Sequence, residues 1–231
     1  LNEINLTRSV PDITFGDVVK IVKNWFNYNF YTEGTNVVMN KIQVNSANTE
    51  VIDLRDTEVR WPNRKFQKGM SFLLKFADVD SKEYSFLPVF QNSEGISNVD
   101  FIKNQDTNEI EINALPLPLL LRNEVQTAYA FENNSSKAYF VKYNGLIEGK
   151  NLSQDCSDLL LPVVHAESWF DWMKFRINAT SFKWPFKSSI MKMLNLSVNK
   201  EVYAYDNVHL IKQITRTEIT ENFFEYEIET E

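Results

Sequence analysis

Residues 11–31, PDITFGDVVKIVKNWFNYNFY, constrain the fold more than any other stretch of this 231-residue chain. Thr14 is placed to cap the unpaired amide groups of a helix start, and Asp17 three residues on completes a capping box. An acid in that first turn also suits the positive end of the helix dipole. Phe15, Val18, Val19, Val22, Trp25 and Phe26 recur at intervals of three and four, the spacing of one helical face, with Lys20, Lys23, Asn24 and Asn27 on the other. Such a stripe has to lie against apolar structure, and the flanking sequence offers strands.

After the helix, Phe30 and Tyr31 lead to a turn signal at Glu33-Gly34-Thr35-Asn36 and a strand from Val37 to Val44. With an opening strand in residues 1–10 this makes a helix-plus-hairpin, βαββ-like unit over residues 1–46. Strand patterns follow at Ser71–Phe76 and Tyr84–Phe90, joined by a loop at Asp78–Ser81, and again at Glu109–Asn113. Pro116 and Pro118 hold their segment extended. Thr127–Phe131 and Ala138–Tyr143 read as a hairpin, Gly145 and Gly149 as a loop, and His165–Phe175 as a short helix carrying Trp169, Trp172 and Met173. The tail returns to strands at Glu201–Tyr205, Val208–Thr217 and Asn222–Glu229. In the last, Phe224, Tyr226 and Ile228 alternate with Glu225, Glu227 and Glu229, one face buried and one solvated. The expected class is α+β, mainly β, with residues 47–231 forming a β-barrel-like domain able to share strands with the first unit.

Composition bounds function by exclusion. A hydrophobic content of 43% describes a folded protein, and a chain of this size needs no disulfide or metal staple. The net charge of −7 and pI near 5.1 argue against nucleic acid and anionic membranes as partners. The apolar run at residues 116–121 is too short to span a bilayer. One cysteine, Cys156, allows no internal disulfide and no thiolate cluster, which fits a reducing compartment. The chain opens on Leu1 without a signal-like segment and is read as a portion of a longer protein.

No catalytic motif emerges. His165 and His209 are the only histidines and lack a third ligand at zinc spacing. Asp155 and Asp158 flank Cys156 and work against thiolate formation. No phosphate-cradling or nucleophile-elbow glycine motif occurs. Residues 78–81 resemble half a calcium loop without its glycine or distal glutamate, so they read as a solvated turn. The pairs Asp53/Asp56 and Asp155/Asp158 would suit a carboxylate hydrolase, but such pairs are common in acidic chains. The expectation is no catalytic residue, no cofactor and no metal. The aromatic cluster Trp169, Phe170, Trp172, Phe175, Phe182, Trp184 and Phe186 has two main readings, core or protein interface, with a sugar-stacking platform as the third. Trp169, Phe170, Trp172, Trp184 and Phe186 are its candidate interface or core positions.

The helix, then the hairpin YTEGTNVVMNKIQ, then VIDLRD resemble the hub proteins of tailed-bacteriophage baseplates, especially those of Bacteroidetes phages and prophages. Asp12, Ile13, Thr14, Asp17, Lys20, Phe26 and Asp53 occupy the family's characteristic places, and Leu54 stands where a tryptophan usually follows the aspartate. The segment VYAYDNVHLIKQITRTEI is similar to the closing strands of such hubs. The resemblance implies a non-enzymatic ring, often trimeric, joining the tail tube to the spike, with other tail and baseplate proteins as partners. It also implies a virion location after assembly in the bacterial cytoplasm. The competing readings are a surface or secreted binding module, including a carbohydrate-binding one, and a carboxylate hydrolase.

Overall fold

The computed structural model describes residues 2–3, 13–42, 50–57, 62–65, 70–77, 87–97, 106–117, 120–122, 125–127, 138–154, 156–198 and 200–231. The fold is α+β and mainly β. Two compact units divide it: Leu1–Gln43 with Met70–Ile177, and Val44–Gly69 with Asn178–Glu231. This differs from a division at 46/47. The helix-plus-hairpin segment shares a core with residues 70–177, because its apolar face needs those strands to cover it.

In unit 1, β1 (Asn2–Glu3) precedes helix α1 (Phe15–Phe26). The cap forms as its chemistry requires: Asp17 N–H donates to Thr14 Oγ1 at 3.2 Å, and Thr14 N–H donates to Asp17 Oδ2 at 3.0 Å. These bonds from Thr14 hold the Asp17 carboxyl below its ordinary pKa. At the far end Asn27 takes the left-handed conformation, φ 57° and ψ 48°, that stops a helix.

The buried line of α1 is Ile21 and Trp25, while Phe15 and Val18 are exposed. The helix is therefore rotated from the stripe its sequence suggests. Asn24 and Asn27, expected on the solvent side, donate inward to backbone carbonyls, at Glu111 O (2.8 Å) and Ser168 O (2.9 Å). Strands β2 (Tyr28–Glu33) and β3 (Asn36–Lys41) form the expected hairpin, and Gly34 at φ 62° supplies the positive φ at its tip.

The next two strands, β4 (Val51–Asp53) and β5 (Asn63–Lys65), belong to unit 2. Unit 1 resumes with a four-stranded sheet built from β6 (Ser71–Phe76), β7 (Val89–Gln91), β8 (Ile96–Ser97) and β9 (Thr107–Ile112), in the order β8-β7-β6-β9. β6 is buried on both faces, Leu73 as well as Phe72 and Leu74, so the one-sided pattern expected there is replaced by that of a central strand. β10 (Ala114–Leu117) pairs in parallel with β13 (Ala138–Val141), and β11 (Leu120–Arg122) pairs with β12 (Val125–Thr127). The hairpin expected between Thr127 and Tyr143 turns at residues 132–136, outside the described residues. β14 (Tyr143–Ile147) and β15 (Lys150–Ser153) form a hairpin with β1 at its edge. Gly145 lies inside β14 at a register shift, a bulge where a loop was expected.

The C-terminal part of unit 1 is one continuous helical run: α2 (Leu161–Val164), a π-turn (His165–Trp169) and α3 (Phe170–Asn178). The unit's core centres on Trp25, which is fully buried. Its ring meets Phe140 at 4.8 Å and Phe76 at 5.3 Å, both edge-on, and its indole N–H donates to Leu159 O at 3.1 Å.

Unit 2 is a six-stranded sheet with the order β4-β17-β18-β19-β16-β5. Here β16 is Ser181–Ser189, β17 Glu201–Ala204, β18 Asn207–Thr220 and β19 Phe223–Thr230. Phe182, Trp184, Phe186 and Ser188 of β16 share its inner face with Phe224, Tyr226, Ile228 and Thr230 of β19. Leu54, Met193, Val202, Ala204 and Ile211 complete that core. Pro185 lies beyond the residues of β16 that β5 pairs, 181–183, so the proline meets no described strand on that side. No sheet closes into a barrel among the described residues. The six-stranded sheet ends on β4 and β5, three-residue strands that do not pair with each other, so the barrel-like expectation gives way to an open sheet.

Candidate functional site

The aromatic positions contiguous in sequence belong to two different cores. Trp169, Phe170 and Trp172 lie in unit 1, Trp184 and Phe186 in unit 2. Trp169, Trp184 and Phe186 are buried, and Phe170 and Trp172 partly so. Trp169 Nε1 donates at 3.0 Å to Trp25 O, a carbonyl of the last turn of α1 that has no partner inside its own helix. Trp184 Nε1 donates at 2.8 Å to the buried Thr230 Oγ1. These side chains serve the cores. The period-2 run Phe182-Trp184-Phe186-Ser188 was the sequence signal for β16, obscured by reading these residues together with the helix before them.

The π-turn gathers the polar groups of unit 1. Its carbonyls at Glu167 and Ser168 accept from Lys41 Nζ and Asn27 Nδ2, both at 2.9 Å. Gln91 bridges: its Oε1 lies 2.7 Å from His165 Nε2, and its Nε2 donates to Phe170 O at 3.5 Å. Burial lowers the His165 pKa to about 4, so the ring is neutral near pH 7 and acts as a fixed hydrogen-bonding group. His209, in unit 2, is also buried and lowered by burial, with Nε2 3.3 Å from Ala204 O. The two histidines occupy separate units.

The remaining candidates stay apart. Cys156 is fully buried in the unit 1 core, its Sγ 3.7 Å from Gln154 O. Asp53 is held by the Arg55 guanidinium through hydrogen bonds of 2.5–3.0 Å, which lower its pKa. Asp158 pairs with Lys142. Asp12, Asp155 and the calcium-like loop at residues 78–81 lie outside the described residues. Among the described residues no group of three or more His, Cys, Asp or Glu side chains is arranged to hold a metal ion. No described helix is long and apolar enough to cross a membrane.

What the structure does present is sheet edge and exposed apolar surface. The β2–β3 ribbon pairs with no other described strand. One of its faces carries Phe30, Val37 and Met39, with Val37 54% and Met39 50% exposed. In unit 2, Ile190 N–H donates to Asn222 O at 3.0 Å, tying the 3₁₀ turn Ile190–Met193 to the tip of the β18–β19 hairpin. Met191, Leu194, Ile219 and Phe223 are all exposed in the segments joined there. β18 is the longest strand described, and β17 pairs only with residues 207–210 of it. From Ile211 to Thr220 its edge away from β19 meets no described strand. Compared with known proteins, the chain matches no family model and no curated protein.

Proposed function

We propose that this chain is a non-enzymatic structural protein, a component of a phage tail or baseplate hub that joins the tail tube to the spike. The observation that carries the reading is the combination of unpaired sheet edge and exposed apolar side chains on the β2–β3 ribbon and the β18–β19 hairpin. A two-stranded ribbon is marginal alone, and a bare strand edge is a template for another chain. Apolar groups on projecting elements mark surfaces that neighbouring proteins cover. The resemblance of the N-terminal helix and hairpin and of the closing strands to baseplate hubs supplies the kind of assembly. The described Trp25, Trp169 and Trp184 are buried in cores, which favours this reading over a sugar-stacking module.

Mass spectrometry of tailed particles purified from the source organism tests the proposal. The expected result is this chain at a fixed ratio to tail-tube and spike proteins. Particles that lack it overturn the reading.

A further inference from the structure

We infer that Asn144 is a self-modifying residue of unit 1. Its side-chain amide closes onto the backbone nitrogen of Gly145, and the succinimide so formed is opened by water to aspartate or isoaspartate. This goes beyond the assembly reading and does not rest on it. The register of β14 on β15 passes from Tyr143–Ser153 directly to Leu146–Asn151, so Asn144 and Gly145 form the bulge and have no partner in the ladder. Of the six glycines, only Gly145 follows an asparagine. Its φ of 92° favours glycine, and no atom lies within 4 Å of where a Cβ would stand. A β-carbon on the residue after an asparagine is what ordinarily hinders ring closure. The bulge needs a glycine for its conformation, and that need strips the attacking nitrogen of its steric guard.

The amide carbon is prepared as well. Gln154 Nε2 donates to Asn144 Oδ1 at 2.8 Å, and Gln154 is anchored by its own N–H, which donates to Lys142 O at 2.8 Å. A donor on Oδ1 stabilises the negative charge that this oxygen takes up when the amide is attacked. Both bulge residues are half-buried on β14, the end strand of its three-stranded sheet, so hydroxide and water reach them. Hydroxide takes the Gly145 amide proton, and the nitrogen bonds to Asn144 Cγ. The Cγ–Nδ2 bond then breaks, and the nitrogen leaves as ammonia with a proton from water. Water adds next to one of the two ring carbonyls. Addition at Cγ restores the backbone and leaves an aspartate side chain. Addition at the backbone carbonyl carbon of Asn144 routes the chain through Cγ as isoaspartate. Overall a water is consumed and an ammonia released, with no redox step. Either product places a negative charge at the bulge. Isoaspartate also lengthens the main chain by a methylene, at a point where the register is already broken.

Peptide-mapping mass spectrometry of the folded full chain, incubated in mildly alkaline buffer made with heavy-oxygen water, tests the inference. The expected products are aspartate and isoaspartate at position 144, each carrying a heavy oxygen, formed ahead of conversion at any other asparagine. The folded chain is expected to react at this site within about tenfold of the rate of the same chain unfolded in urea. Gly145→Ala is expected to slow the reaction by about tenfold or more. Gln154→Ala is expected to slow it severalfold by removing the donor to Oδ1. Circular dichroism checks folding, and Q154A carries the test alone if G145A unfolds. A folded chain that keeps Asn144 intact while the urea-unfolded chain converts overturns the inference. So do folded variants that react like the wild type, and so does aspartate formed without any isoaspartate, which would mean direct hydrolysis of the side chain.

Discussion

Both units bury aromatic side chains, in different ways. In unit 1, Trp25 projects from helix α1, and the loose ends of that helix are tied: Thr14 and Asp17 cap its start, while the Asn27 N–H and Trp169 Nε1 donate to the Lys23 and Trp25 carbonyls at its end. In unit 2, Trp184 and Tyr226 lie on one face of an open sheet covered by short turns and by Leu54, with no α-helix among the described residues of that core. A sheet sealed by a helix satisfies its own polar and apolar surface. An open one with a fourteen-residue strand beside a four-residue neighbour leaves an edge that another chain can complete. The contrast lies in how the two cores are covered, since the β2–β3 ribbon gives unit 1 an unpaired edge of its own among the described residues.

The sharpest way to break this contrast is to hollow each core. Trp25→Ala is expected to destabilise unit 1 by about 3–5 kcal/mol, and Trp184→Ala to destabilise unit 2 by about as much. Denaturant unfolding followed by hydrogen exchange should show each loss confined to its own unit. A single shared transition in both variants would mean the division is wrong.

Acid should then affect unit 1. The His165 pKa is lowered to about 4 in the folded protein against an ordinary value of 6.5, so its proton binds the unfolded chain more readily. The stability from keeping the ring neutral is present above pH 6.5 and is lost as the pH falls towards 4. His165→Gln should flatten that part of the pH–stability curve, and an unchanged curve would show that another group governs it. His209 is lowered in the same direction, so unit 2 loses stability on acidification as well.

Smaller effects sharpen the picture. Thr230→Val removes the acceptor of the buried Trp184 indole and should cost about 1–3 kcal/mol in unit 2. Thr14→Ala removes the helix cap of unit 1 and should cost about 1 kcal/mol. Tyr226→Phe runs the other way. The Tyr226 hydroxyl is buried without a hydrogen-bond partner among the described residues, so its loss should leave unit 2 as stable or slightly more so. Melting temperatures rank all three, and a strongly destabilised Tyr226→Phe would mean that the hydroxyl has a partner in solution.

Much of the local structure was legible in the chain. The Thr14–Asp17 box, the Gly34 turn and the alternation of Phe224, Tyr226 and Ile228 each depend on residues a few positions apart, and each forms. The phase of α1 was not legible, because Val18 and Ile21 are equally apolar and only the facing strands decide which is covered. The five candidate aromatics were found by their size, but their division between two cores was hidden. Nothing local distinguishes a tryptophan that binds a helix carbonyl from one that binds Thr230. The β18 edge was missed for a related reason: an edge is defined by where its neighbour stops.

By itself the sequence determined the class of the protein and the identity of its caps, turns and alternating strands, because these follow from propensities and short-range hydrogen bonds. Tertiary structure alone decided which face of the helix is buried, that the sheet of unit 2 stays open, and that β18 outruns β17. Those outcomes depend on strands distant in sequence competing for the same edges and apolar surface.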